Sequence, residues 1–323
     1  MFINILLIIV GLAVLVLGAD WLVRGASSLA AKLRVSALVI GLTVVAFGTS
    51  TPELTVSVTA ALKGSTDIAL GNITGSNIAN ILLILGICAA IKTLTVKSTT
   101  VWKEIPLALT GMVLLFVFGN DHLFDKIPAN ALTRTDGIAL LVLFAIFMYY
   151  IFGLAKNDRT KTENKDADDI KVLPSHISAA YIVAGLLGLI VGGRLLVDNA
   201  VDVASAAGLS EALIGLTIVA VGTSLPELAT SLVATLKGQN DIAVGNIVGS
   251  NIFNVFWILG LSSIVAPLPV SSGASVDILV GVGATSLLFL FMFLGKKHKL
   301  TKAEGILFLT TYVVYTVYLI QRG

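Results

Sequence analysis

Apolar residues run along this chain in blocks of about 20 or more, and the charged residues fall in short clusters between them. Blocks of that length suit helices crossing a hydrocarbon layer about 30 Å thick. A membrane β-barrel would alternate polar and apolar residues instead. The pattern predicts an all-α integral membrane protein of ten spans: Phe2–Ala31, Ser36–Leu62, Asp67–Ile91, Glu104–Phe118, Arg134–Leu154, Ser178–Ala207, Glu211–Leu236, Asp241–Ala266, Val276–Leu294 and Lys302–Ile320. The start, Met1-Phe-Ile-Asn, lacks the basic segment of a cleaved signal, so the first block reads as a span. One polar, mixed-charge linker, Lys156–Lys171, divides the chain in half.

The halves repeat each other. Residues Gly41–Ile81 laid over Gly215–Val255 agree at 27 of 41 positions. The first spans correspond too: Asp20 and Arg24 match Arg194 and Asp198, each pair spaced to close an ion pair on one helix face. With the N-terminus outside, fifteen of the 21 basic residues fall in cytoplasmic segments and four in external ones. Five spans per half is odd, so the second half enters from the opposite face. The domain reading is therefore 1–155, a first repeat with the N-terminus outside; 156–175, a cytoplasmic linker; and 176–323, an inverted repeat ending outside. Inverted repeats with a site where they meet near the midplane are the architecture of alternating access.

Composition narrows the picture. Charged residues make up 12% of the chain against about 25% in soluble domains, and mean hydropathy is +0.98. The net charge of +2 leaves no footprint for nucleic acid. Cys88 is the single cysteine, so no internal disulfide can form.

The candidate chemistry lies in the repeats. The second and seventh spans are both broken, at Gly48-Thr49-Ser50-Thr51-Pro52-Glu53 and Gly222-Thr223-Ser224-Leu225-Pro226-Glu227. Proline lacks an N–H and displaces the carbonyl four residues back, so oxygens around Ala46–Gly48 and Ala220–Gly222 are expected to lose partners. Such groups are tolerated in a membrane where they line a polar cavity. Thr49, Ser50, Thr223 and Ser224 add hydroxyls, and Glu53 and Glu227 add carboxylates with no lysine or arginine nearby in their spans. The alternative, two protonated glutamates each bonded to a carbonyl, does not explain the same residue at the same break in both halves. On the third and eighth spans, Ser76 shares a face with Asn80, and Ser250 with Asn254. Asn72, Asn77, Asn246 and Asn251 serve equally as ligands or as bonds between helices. An all-oxygen set suits hard cations, and Ca²⁺ takes six to eight oxygens. Two carboxylates match one Ca²⁺ or are overfilled by three Na⁺. His122, His176 and His298 sit in loops or at span ends, which disfavours zinc, copper and iron. No cofactor, enzymatic motif or obligate protein partner is evident. A channel is the competing class, and the paired breaks in inverted halves favour a carrier.

At these residues the sequence resembles the sodium/calcium exchanger family of the cation/Ca²⁺ antiporter superfamily, in a prokaryotic form, through two copies each of GTSxPE and GNIxGSN. The resemblance implies that Thr49, Glu53, Thr223 and Glu227 form a Ca²⁺ site. It further implies that Ala46, Ser50 and Ser250 help one Na⁺ site, and Ala220, Ser224 and Ser76 its inverted counterpart. It implies an antiporter of the cell membrane carrying Ca²⁺ and Na⁺ by alternating access, three Na⁺ to one Ca²⁺. A Ca²⁺/H⁺ antiporter using the same carboxylates is the alternative. Some prokaryotic members carry an acid at the position of Asn254. Asparagine here weakens any case for potassium dependence.

Overall fold

A computed structural model describes residues 2–124, 126, 129–160, 172–207 and 220–322. In chain order the main helices are α1 (Phe2–Leu33), α2 (Ala37–Thr49), α3 (Thr51–Leu62), α4 (Thr66–Ile91), α5 (Thr100–Phe118) and α6 (Arg134–Thr160). The second half supplies α7 (Ser175–Ala206), α8 (Leu225–Leu236), α9 (Asn240–Val265), α10 (Ser272–Phe291) and α11 (Lys302–Arg322). Among the described residues eight helices are long and apolar enough to span a membrane, and the bent pair α2–α3 makes a ninth. Of the expected seventh span, α8 is the later part; residues 211–219 lie outside the described residues, as do 161–171 of the linker. The helices α5 and α10 begin four residues earlier than hydropathy indicates. Apolar content marks the hydrocarbon core, whereas a helix starts at its cap: Ser271 accepts from Ala274 N–H at 3.2 Å to open α10.

The broken spans form as their prolines require. Pro52 and Pro226 sit in the first turns of α3 and α8, where a missing N–H costs nothing. The residues before those turns, Ser50 (φ −81°, ψ 7°) and Ser224 (φ −87°, ψ 5°), leave helical geometry alike, and α2 meets α3 at 47°. Both half-helices end on a Lys-Gly pair, with Gly64 and Gly238 at φ 75°. The following N–H groups reach back to Ala60 O (2.9 Å, from Ser65) and Ala234 O (2.8 Å, from Gln239), satisfying carbonyls that a continuing helix would have used.

Helices α4 and α9 form the centre, 78% and 94% buried over their apolar windows against 11–39% for the other long spans. Short antiparallel ladders tie the halves together: Leu94–Thr95 (β1) pairs Lys299–Leu300 (β4), and Ala131–Leu132 (β2) pairs Leu268–Pro269 (β3). The long helices α1 and α7 lie against one another at the periphery. They touch backbone to backbone through glycines seven apart. A methyl group on Gly18 would lie 2.7 Å from Leu189 N, one on Gly185 2.6 Å from Leu22 N, and one on Gly192 2.6 Å from Leu15 N.

One charge pair forms as its spacing predicts and the other does not. Arg24 Nε lies 2.7 Å from Asp20 Oδ2, and Lys237 bonds the second oxygen of Asp20. Among the described residues, Arg194 and Asp198 make no ion pair with each other or with any other group.

The glycine contact generates a test. Gly185→Val should push α1 and α7 apart and lower stability by about 1–3 kcal/mol. It is measured as a depressed unfolding temperature in detergent, whereas Gly153→Val, at a position with open space around it, should leave that temperature unchanged.

Candidate functional site

Glu53 and Glu227 occupy the first turns of α3 and α8, so each carboxylate sits at the positive end of a half-helix. Both are buried at 1% exposure, as are Asn80 and Asn254, within the crossing of α4 and α9 with the two breaks. Each carboxylate draws donors from both halves. Glu53 Oε1 accepts from Ser76 and Ser224, both at 3.4 Å, and Glu227 Oε1 accepts from Ser250 at 3.4 Å and Ser50 at 3.1 Å. Neither carboxylate is complete within its own repeat.

The threonines act across the same boundary. Thr49 donates to Asn246 Oδ1 at 3.0 Å, and Thr223 donates to Asn72 Oδ1 at 3.3 Å. Each of those asparagines then braces the opposite carboxylate's own helix. Asn246 Nδ2 donates to Ser231 Oγ (3.0 Å) and the Glu227 carbonyl (3.4 Å); Asn72 Nδ2 donates to Ser57 Oγ (3.0 Å) and the Glu53 carbonyl (3.3 Å). Asn77 and Asn251 exchange amide-to-carbonyl bonds of 3.4 and 3.3 Å, and they also accept from Asn254 and Asn80 at 2.9 Å each. These four asparagines therefore bond between helices, one of the two roles open to them from sequence. Ser57 and Ser231 were not anticipated, although their identity in both repeats was a signal. The π-helical turns at Ala79–Leu85 and Phe253–Leu259, which carry Asn80 and Asn254, have no comparable signature.

Four oxygens of this centre have no donor among the described residues: Glu53 Oε2, Glu227 Oε2, Asn80 Oδ1 and Asn254 Oδ1. An unpaired buried acceptor costs about 1–3 kcal/mol, more if charged. All four are acceptors of the kind that a hard cation satisfies, at matching positions of the two halves. Among the described residues no group of three or more His, Cys, Asp or Glu side chains comes together, so hydroxyl and amide oxygens must complete any coordination shell here.

The Ala46 carbonyl needs a correction. Ala46 O keeps a backbone partner, Ser50 N–H at 3.0 Å, and the Thr49 hydroxyl lies 3.3 Å away, so the proline does not strip that oxygen. The missing N–H belongs to Pro52 itself, whose helical acceptor would be Gly48 O, two residues further on. Ala220 opens a single turn, Ala220–Gly222, and its side chain lies outside the described residues. A cavity of about 300 Å³ reaches both breaks: Pro52 and Thr223 line it, with α7 as a further wall.

Comparison with known proteins finds relatives along nearly the whole chain. The family model described as sodium/calcium exchanger protein matches residues 3–153 and 177–321. The putative antiporter CaxA of Alkalimonas amylolytica is 41% identical over 320 residues, covering 98% of each chain. The sodium/calcium exchanger MaX1 of Methanosarcina acetivorans is 31% identical over 345 residues, again covering 98% of each. The fold matches a solved structure of the sodium-calcium exchanger NCX_Mj soaked with 10 mM Na⁺ and 10 mM Sr²⁺, at a TM-score of 0.83 and 35% identity over 98% of both chains.

The asparagine braces predict a measurable cost. Asn246→Ala deletes bonds to Thr49, Ser231 and the Glu227 carbonyl, and should destabilise the protein by about 1–3 kcal/mol. Thermal unfolding in detergent reads this directly.

Proposed function

Because the chain belongs to the sodium/calcium exchanger family of integral membrane antiporters, we propose that it exchanges Na⁺ for Ca²⁺ at the Glu53/Glu227 centre by alternating access. The observation that carries this reading is the set of four buried acceptor oxygens without donors. In the proposed site, Glu53 and Glu227 supply the charge for Ca²⁺, with Thr49 and Thr223 completing its shell. The Ser50/Ser250 and Ser224/Ser76 groups, with the carbonyls of Ala46 and Ala220, would hold Na⁺, while Asn80 and Asn254 offer amide oxygens between them. Since the carboxylates serve both ions, Na⁺ and Ca²⁺ compete and do not share the site.

The proposed topology places the N-terminus outside, the 156–175 linker in the cytoplasm and the protein in the cell membrane, with the repeats inverted. The two sides of the centre differ in a way that supports alternation. Helix α1 packs along α8, whereas the cavity separates α7 from α3. Exchange of those relationships would close one path and open the other. The glycine-lined pair α1–α7, in contact along its length, is suited to move as one body.

A stoichiometry of three Na⁺ to one Ca²⁺ moves one charge per cycle. A tenfold Na⁺ gradient supplies about 1.4 kcal/mol per ion, and 100 mV adds about 2.3 kcal/mol per charge. Together these give roughly 6–7 kcal/mol, enough to hold a Ca²⁺ ratio between about 10⁴ and 10⁵.

Three outcomes test the reading. Na⁺-loaded proteoliposomes should take up ⁴⁵Ca²⁺, and Glu53→Gln or Glu227→Gln should abolish that uptake; uptake driven by internal acid and indifferent to Na⁺ would establish a Ca²⁺/H⁺ antiporter on the same carboxylates instead. Transport should carry current and respond to voltage, and electroneutral exchange would overturn the stoichiometry. Protons compete for the same carboxylate oxygens, so uptake should fall as the pH is lowered from about 8 to about 5. A flat profile would count against ion binding at a carboxylate pair.

A further inference from the structure

The two i,i+4 charge pairs repeat in sequence with their signs reversed, and the structure treats them differently. On α1, Asp20 is held by Arg24 at 2.7 Å and by Lys237 from the end of α8. On α7 the order is Arg194 then Asp198, and the residue repeating Lys237 is Lys63. Among the described residues Lys63 makes no ion pair, so the arrangement that consumes the charge on one side is not formed on the other. Arg194 and Asp198 are both exposed, and both line the cavity that reaches Pro52 and Thr223. A guanidinium and a carboxylate with no ion-pair partners among the described residues thus stand beside the opening toward the cation centre.

We propose that Asp198 and Arg194 set how strongly cations are drawn into this cavity and, through the difference in ion charge, the preference for Ca²⁺ over Na⁺. This rests on the exchange reading above. The physical argument is Coulombic. A unit charge about 10 Å from the path in a water-like dielectric changes the local concentration of a monovalent ion by about twofold. A divalent ion feels twice the energy, so its concentration changes by the square of that factor, about fourfold. Asp198 raises both concentrations and Arg194 lowers both. Together they hold the opening near neutral, where removing either charge shifts selectivity in a predictable direction. Neither residue bonds Glu53 or Glu227, and both act on the cation before it reaches those carboxylates.

The test uses the full chain in right-side-out and everted membrane vesicles, with ⁴⁵Ca²⁺ and ²²Na⁺ as probes and choline chloride to vary ionic strength. At low salt, Asp198→Asn should raise the half-saturating Ca²⁺ concentration about fourfold and that for Na⁺ about twofold. Arg194→Gln should lower them by the same factors. The effects should appear only on the face where the cavity opens, and should largely vanish at about 0.5 M choline chloride, where the screening length falls to a few Å. The double variant should return close to the wild-type values. Shifts of the same sign for both variants, shifts equal at both faces, or shifts that survive high salt would mark a merely structural role and overturn the proposal, as would unchanged half-saturation. Wild-type vesicles that fail to transport either ion would defeat the exchange reading and this inference with it. Wild-type transport with unresponsive variants would defeat this inference alone.

Discussion

Burying two carboxylates in a membrane interior, with no basic partner among the described residues, is the constraint around which this protein is organised. On insertion scales each costs at least about 2.5–3.5 kcal/mol at the bilayer centre. The structure offsets part of that by placing Glu53 and Glu227 at the starts of half-helices, where the peptide dipoles are favourable, and by aiming two serine hydroxyls at one oxygen of each. The second oxygen is left without a donor among the described residues. A protein selected for stability alone would satisfy it, and a protein that must bind and release a cation is served by leaving it open. The proline breaks follow from the same requirement, since only an interrupted helix offers an N-terminus at that depth.

The crossing of donors explains why the sequence is duplicated. Ser224 serves Glu53 and Ser50 serves Glu227, while Thr49 and Thr223 each bond an asparagine of the opposite half. A single repeat would expose half-satisfied polar groups to lipid, at several kcal/mol each. Two repeats close the network. Around this centre, α1 and α7 meet through glycine-to-backbone contacts and through side-chain pairs such as Trp21–Tyr181 and Ser28–Ser178. The two sides of the centre are unlike: α1 lies in contact with α8, whereas a cavity lies between α7 and α3.

Much of this was legible before any coordinates. Hydropathy located nine of the ten expected spans among the described residues, because the hydrocarbon layer imposes a length on any helix that crosses it. The breaks were legible because proline's missing N–H acts on the residues beside it. Glu53, Glu227 and the flanking serines and threonines could be chosen because each appears twice in the same local setting. The start of α10 was misplaced because its capping by Ser271 leaves no trace in hydropathy.

Local chemistry, then, was determined by the sequence by itself: which segments cross, where they break, and which side chains carry oxygen into the interior. Partnership was decided only by the tertiary structure. The spacing of Arg194 and Asp198 allows the same ion pair as that of Asp20 and Arg24, yet only the latter forms, with Lys237 arriving from a helix more than two hundred residues away. Ala46 kept its hydrogen bond at a break that seemed set to remove it, and Asn80 and Asn254 spent their amide donors on asparagines of the other half, leaving their oxygens free. Such outcomes depend on distances between groups remote in the chain, which helix crossing sets and residue spacing does not.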